Sequence, residues 1–255
     1  MRAPEASWTT WPLLVLAVGA ISSSAVLVRW ADTSSLTLSW WRTLAGGLIL
    51  LPAAVRSWPR ASAGSTGRPL LSGTALAGLA LGIHFWTWLA SLDRTSVAAS
   101  VALVSTAPFF VIIVSRLARF LPGGNSQTER RPDSTNWLAI TMTVAGAIVL
   151  ALAAGAGSGP SAATSAEIRT VATSTTGNLL ALAGAIAMAV YLTIGDRLRR
   201  SSTTSDGLST AAYAAPVYLA AAAALSVAVV ATASNPFDLS RSDVLVIMAM
   251  VAGPQ

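Results

Sequence analysis

Seven stretches of this chain are apolar over the roughly 20 residues that a helix needs to cross a lipid bilayer. They lie at about 11–30, 36–56, 70–92, 96–118, 137–155, 177–198 and 208–232, and an eighth begins near Asp243 and reaches Gln255. Strands are shorter than these runs, and a soluble core rarely needs so many of them. The pattern therefore predicts an all-α polytopic membrane protein.

The scarcity of charge supports this prediction and narrows the function. Only 10% of the residues are charged, against about 25% in ordinary soluble domains. The net charge of +6 is scattered between apolar runs and forms no basic stripe, which argues against nucleic acid as a partner. The chain has no cysteine and a single histidine, His84. We therefore predict no metal site, no cofactor and no catalytic residue, and so no enzyme.

The arginines predict the orientation in the membrane. With the N-terminus in the cytoplasm, eleven of the 16 basic residues fall on the inner side of the alternating segments. The outer side holds only Arg29, Arg94, Arg169 and Arg241. Positive loops stay inside, so we predict a multi-pass protein of the cytoplasmic (inner) membrane with a cytoplasmic N-terminus.

An internal repeat predicts two units. "LLVLAVGAI" at 13–21 returns as "LLALAGAI" at 179–186, with one gap. We expect a first unit at 1–155 with about five helices, an extracytoplasmic linker at 156–176, and a second unit at 177–255. A unit of five crossings inverts the one that follows, as in many transporters. The second unit is expected to be incomplete, with about three helices and the last cut short.

Three stretches carry a family resemblance. They are "LSWWRTLAGGLILL" (38–51), "FWTWLASLDRTSVAASVALVSTAPFFVII" (85–113) and "GNLLALAGAIAMAVYLTIGDRLRR" (177–200). In this order and spacing the chain resembles the drug/metabolite transporter superfamily, EamA-type permeases. The resemblance implies ten helices in two inverted five-helix repeats, the second truncated here after about its third helix, around a central cavity. One feature departs from the family, because the fourth segment closes on Arg116 and Arg119 without the acid often found there.

One of the 16 basic residues, Arg42, belongs to neither side of the membrane, because it lies inside the second segment. It is six residues from the outer end, roughly 9 Å deep, and His84 is roughly 12 Å deep in the third segment. Trp41, Trp86 and Trp88 flank the two. We predict a cavity with a fixed cation, an imidazole and aromatic walls, suited to an anionic or zwitterionic, partly apolar solute. The alternative is that Arg42 only anchors the interface by extending its side chain toward it.

Two further candidates carry alternatives of their own. Tyr191 is either a cavity residue or a packing residue. Pro108 is either a gating hinge or a structural kink, since proline removes a helical hydrogen bond.

The function predicted from these features is secondary transport. The protein would export or exchange small organic metabolites or drugs across the cytoplasmic membrane by alternating access. Its partners would be a small-molecule substrate and the lipid bilayer. The alternative is a non-transporting membrane scaffold or accessory subunit.

Overall fold

The computed structural model describes residues 10–62, 67–118, 175–201 and 209–253, with a few isolated positions between 141 and 149. All regular structure in these ranges is helical. The helices are α1 (Thr10–Val28), α2 (Ser35–Ser62), α3 (Gly67–Leu92), α4 (Val97–Val104), α5 (Ala107–Leu117), α6 (Thr175–Ser201), α7 (Thr210–Ala231) and α8 (Arg241–Ala252).

Five segments in the described part of the chain are long and apolar enough to cross a membrane. They are Ser35–Ser57, Leu71–Leu92, Val97–Leu117, Thr175–Arg199 and Thr210–Ala231. Each coincides with a predicted segment, which confirms the prediction of a polytopic helical protein. The predicted fifth segment, 137–155, and nearly all of the 156–176 linker lie outside the described residues. Thr175 and Thr176, assigned to that linker, already belong to α6.

The fourth predicted segment is not one continuous helix. α4 ends at Val104 and α5 begins at Ala107, with Ser105 and Thr106 in a turn between them. Pro108 occupies the first turn of α5, where its missing N–H would have no helical partner anyway. A continuous helix would instead bring the proline ring against the carbonyl of Val104.

The long helices pack side by side, with α3 and α7 parallel and α2 and α7 antiparallel. α3 lies against α6 and α7, and α2 lies against α7. Along α2 and α7, the side chains of Trp40 and Ser226 are hydrogen-bonded near one end, and those of Ser57 and Ser209 near the other. The two helices therefore run in opposite directions.

Glycine allows the closest of these contacts. A Cβ added at Gly78 of α3 would lie 2.5 Å from the Cβ of Ala220 and 2.6 Å from the carbonyl oxygen of Val217, both on α7. A Cβ added at Gly47 of α2 would lie 2.8 Å from the side chain of Leu219. Small residues permit such backbone approach between membrane helices. This glycine seam, Gly47 and Gly78 against α7, holds the centre of the bundle together.

One end of the bundle is tied by polar contacts between distant parts of the chain. The Asp243 carboxylate, in the first turn of α8, accepts the backbone N–H groups of Asp32 at 2.8 Å and Thr33 at 3.0 Å. The hydroxyl of Thr95 donates to Asn178 of α6 at 2.9 Å. The Arg29 guanidinium donates to the carbonyl of Thr95 at 3.1 Å. The structure thus gathers the α1–α2 loop, the α3–α4 turn and the starts of α6 and α8 at one face.

Candidate functional site

Arg42 is buried in the middle of the described bundle. The residue is only 5% exposed. Its Nη1 donates to the hydroxyl of Ser24 on α1 at 2.9 Å, and its guanidinium carbon lies 4.3 Å from the centre of the Phe85 ring on α3. An interfacial anchor keeps its head group in water, whereas this guanidinium is enclosed by side chains of α1 and α3.

His84 joins the two proposed units. It is 5% exposed, and its Nδ1 lies 2.9 Å from the carbonyl oxygen of Gly184 on α6. A carbonyl only accepts, so the hydrogen is assigned to Nδ1 and the Nε2 of the neutral ring is an acceptor. The imidazole also stacks on Trp88, with ring centres 5.9 Å apart and planes 13° apart. Two different contacts thus fix its orientation.

Phe85 connects these residues to α7. Its ring centre lies 5.1 Å from that of His84 and 6.5 Å from that of Tyr218. The phenol of Tyr218 is also an electrostatic neighbour of Arg42. Helices α2, α3 and α7 therefore bring together a cation, an imidazole and aromatic rings, which we call the Arg42 cluster: Arg42, His84, Phe85, Trp88 and Tyr218.

Trp88 offers a hydrogen-bond donor inside this cluster. The residue is only 9% exposed, and its buried indole N–H has no hydrogen-bond partner within the described residues. Buried indole N–H groups usually find an acceptor. A donor in this position suits a solute that carries an oxygen acceptor.

Aromatic residues cover the cluster at the end where α8 begins. Trp41 donates its indole N–H to the carbonyl of Pro236 at 2.7 Å, and Trp40 donates to the hydroxyl of Ser226 at 2.7 Å. Both indoles meet the ring of Phe237 edge to face, with ring centres 5.8–5.9 Å apart. In this structure α2 and the α7–α8 connection are therefore joined above Arg42.

Tyr191 belongs to a different group. It stacks on Tyr213 with ring centres 6.4 Å apart, and the guanidinium carbon of Arg199 lies 5.8 Å from the Tyr213 ring. Tyr191 is seven residues beyond Gly184 on α6, roughly 10 Å along the helix. The tyrosine pair therefore lies nearer the opposite end of the bundle from the Trp40–Trp41 cover.

The predicted site residues thus divide by position. Arg42, His84 and Trp88 come together, and Trp41 adjoins them in the cover. Trp86, by contrast, is 36% exposed. Pro108 is also exposed and lies at the α4–α5 break.

Sequence reasoning left three members of the surroundings, Ser24, Phe85 and Gly184, without a role in the site, and it considered Tyr218 either a cavity residue or a packing residue. Ser24 had a signal, because it ends a run of three serines in an apolar helix. Phe85 had no signal that separates it from packing residues, and the polar hydroxyl of Tyr218 was its only one. Gly184 acts through its backbone carbonyl, which every residue type possesses, so no sequence pattern identifies it.

Comparison with known proteins now identifies the family. Residues 9–152, more than half of the chain, match the EamA-like transporter family. This chain belongs to the EamA-like transporter family. The match covers all the helices from α1 to α5, including Arg42, His84 and Trp88. Members of this family are membrane transporters of small molecules, and the five candidate spans agree with that class.

A solved structure supports the fold of this EamA-like chain. The matched structure, whose title reads only "Crystal structure of protein", superposes with a TM-score of 0.59 at 19% identity. The match covers 94% of this chain and 72% of the other. At that identity the likeness concerns the fold alone. No curated protein matches the chain.

Proposed function

We propose that this EamA-like protein is a secondary transporter that exports or exchanges small organic solutes across the cytoplasmic membrane by alternating access. Its substrate would be anionic or zwitterionic and partly apolar. The observation that carries the proposal is the burial of Arg42 among aromatic rings, within a family of small-molecule transporters. A guanidinium binds a carboxylate or sulfonate through two parallel hydrogen bonds, while Phe85 and Trp88 would contact the apolar part of the solute.

The pairing of helices supports the inverted-repeat part of the proposal. A two-fold axis that exchanges the units would interchange α1 with α6, α2 with α7 and α3 with α8. It would turn the pair α3–α6 into α8–α1, and α3–α7 into α8–α2, and leave α2–α7 unchanged. All five pairs are in contact, which is the pattern expected of two inverted units.

The proposed orientation follows from the arginine distribution. The face that holds the α1–α2 loop, the α3–α4 turn and the start of α8 carries Arg29, Arg94 and Arg241, each close in sequence to an acid. The positive-inside rule assigns this face to the outside and the N-terminus to the cytoplasm. The Trp40–Trp41–Phe237 cover then lies on the outer side of the Arg42 cluster.

Tracer exchange in proteoliposomes tests the function. The full-length protein is reconstituted and assayed with three labelled probes: benzenesulfonate as an anion, phenylalanine as a zwitterion and benzyltrimethylammonium as a cation. We expect saturable, competable exchange of the anion or the zwitterion and none of the cation. Arg42→Gln should abolish this exchange, and Arg56→Gln, at an exposed arginine on the same helix, should not. Absence of exchange for all three probes would favour the scaffold or accessory-subunit alternative.

A further inference from the structure

His84 is the one residue of this sequence whose side chain ordinarily changes charge near neutral pH. The chain has one histidine and no cysteine, and the other side chains titrate well away from neutrality when unperturbed. This residue is buried at the contact between α3 and α6, which belong to different proposed units. A side chain that can take up a proton therefore lies at the contact between the two proposed units.

The geometry defines which atom would accept a proton. Nδ1 faces the carbonyl of Gly184 and already carries a hydrogen, so an incoming proton binds the lone pair of Nε2. The protonated ring would keep the bond to Gly184, and that bond would become charge-assisted and about twice as strong. Protonation is thus compatible with the contact between α3 and α6 and strengthens it.

Arg42 is the charge that faces this imidazole. It comes from α2, lies against the neighbouring Phe85 ring, and interacts electrostatically with His84. From α7 the phenol of Tyr218 lies beside Phe85 and interacts electrostatically with Arg42, and α6 presents the carbonyl of Gly184 to the imidazole. The described residues of α1 and the whole of α4 contain no titratable side chain.

Two like charges this close disfavour each other in a medium of low dielectric. With the site empty, the guanidinium of Arg42 opposes a positive charge on His84. An anion bound to Arg42 cancels this repulsion, so the anion favours protonation of Nε2. Linkage is reciprocal, and a proton on His84 therefore strengthens binding of the anion by the same factor.

We propose that His84 and Arg42 form a proton–anion co-binding site, so that each anionic substrate crosses the membrane together with one proton. This inference rests on the proposed transport function and adds its coupling. In each cycle the Nε2–H bond forms on one side of the membrane and breaks on the other, and the net charge moved is zero. The direction follows the combined gradients. An anion accumulated in the cytoplasm leaves with its proton, and an acidic exterior drives the reverse.

Because the histidine is single, nuclear magnetic resonance of the protein with ¹⁵N-labelled histidine observes His84 alone. The 255-residue protein is purified without a histidine tag, placed in lipid nanodiscs and held at a pH of about 6, where an imidazole ordinarily titrates. Benzenesulfonate, an anion at every accessible pH, should increase the protonated fraction of the parent. Arg42→Gln should show a higher protonated fraction without the anion and no response to it, and Arg56→Gln should behave like the parent. We expect a change in proton affinity of about tenfold, within the usual range for coupled sites of about 5–150-fold.

Equal protonated fractions in the parent and Arg42→Gln, or a parent that does not respond to the anion, would overturn the linkage. Flux measurements separate this failure from failure of transport itself. An outside-acid gradient of about one pH unit should raise benzenesulfonate accumulation in the parent about tenfold, because one proton crosses with each anion. His84→Gln should lose the response to the gradient, whereas Arg56→Gln, at an exposed arginine outside the Arg42 cluster, should keep both tracer exchange and the response. Tracer exchange in the parent that does not depend on pH would contradict only the proton coupling. A parent without any tracer exchange would contradict the transport function itself.

Discussion

The guanidinium carbon of Arg42 lies 4.3 Å from the centre of the Phe85 ring, so a charge from α2 rests on an aromatic face from α3. Such a contact stabilises a cation by about 0.5–2 kcal/mol, most when water is excluded. Ser24 of α1 accepts a hydrogen bond from the same guanidinium, so Arg42 joins α1, α2 and α3.

Substitution of Arg42 tests this geometry. Arg42→Gln should abolish transport of the accepted probe, because hydrogen bonds to a charged group contribute about 1.5–3 kcal/mol, which corresponds to at least about a tenfold loss of binding. Arg42→Lys should restore transport only in part, since an ammonium cannot form the two parallel bonds. Exchange rates and the amount of folded protein in the membrane are measured together. If Arg42→Gln transports like the parent at equal amounts, Arg42 has only a structural role.

The glycine seam predicts a selective loss of stability. Gly78→Ala should destabilise the folded protein by about 1–3 kcal/mol, the usual cost of overpacking, because the new methyl group would meet Ala220 and Val217 of α7. Gly19→Ala is the matched control. Gly19 is also in a helix, and within the described structure a Cβ there meets no atom closer than 4 Å. Thermal unfolding in detergent compares the two, and equal unfolding temperatures would contradict the close α3–α7 contact.

Asp243 predicts a pH dependence of stability. Burial acts to raise the pKa of this carboxyl, but hydrogen bonds from the Ser240 side chain and backbone, and from the backbone of Thr33 and Asp32, outweigh it and hold the pKa of Asp243 below its usual value. A lowered folded pKa stabilises the fold above the unfolded pKa of about 3.9. This contribution is lost as the pH falls through the lower, folded value.

Asp243→Asn should therefore unfold at a lower temperature than the parent at neutral pH, by an amount equivalent to about 1–2 kcal/mol. Both oxygens of the carboxylate accept hydrogen bonds. In asparagine an NH₂ group replaces one of these oxygens and faces N–H or O–H donors, with which it cannot form the same bonds. The difference should persist to a pH of about 4 and shrink only at more acid pH. Asp238→Asn, at an exposed aspartate, is the control. A difference that disappears near neutral pH would contradict a lowered pKa.

The orientation can be tested on a chain that naturally lacks cysteine. Ser126→Cys lies in the predicted inner loop and Ser165→Cys in the predicted outer linker, and both positions are outside the described residues. An impermeant thiol reagent added to intact cells should label position 165 and spare position 126 until the membrane is opened. Labelling of position 126 in intact cells would reverse the assigned topology.

The sequence predicts long apolar helices well and short local features poorly. Hydropathy predicts the long helices within a few residues, because lipid demands both apolar side chains and fully bonded backbone. It does not predict the α4–α5 break, since Ser105 and Thr106 lie in an apolar run and their hydroxyls bond to the carbonyls of Val101 and Leu103. The backbone N–H of Ser105 still donates to the carbonyl of Val101, whereas that of Thr106 donates to Leu103, three residues back. This local change leaves the hydropathy unaltered.

The sequence reveals a site residue only where placing that residue in an apolar segment costs free energy. Arg42 and His84 are polar residues in apolar segments, and their energetic cost marks them. Phe85 and Tyr218 cost nothing there, so only the packing of α2, α3 and α7 shows them beside Arg42. Trp86 carries the same sequence signal as Trp88 and differs from it only in the face of α3 that it occupies.

The bond between His84 and Gly184 also has a consequence for biosynthesis, because its partners are 100 residues apart in the chain. At about 5–20 residues per second, a ribosome reaches Gly184 roughly 5–20 s after it has made His84. During that interval α2 and α3 are in the membrane while α6 and α7 have not been made. The nascent first half must therefore be held in the bilayer by the insertion machinery or by temporary contacts. Until α6 and α7 are made, Arg42 and His84 lack the neighbours that these helices supply.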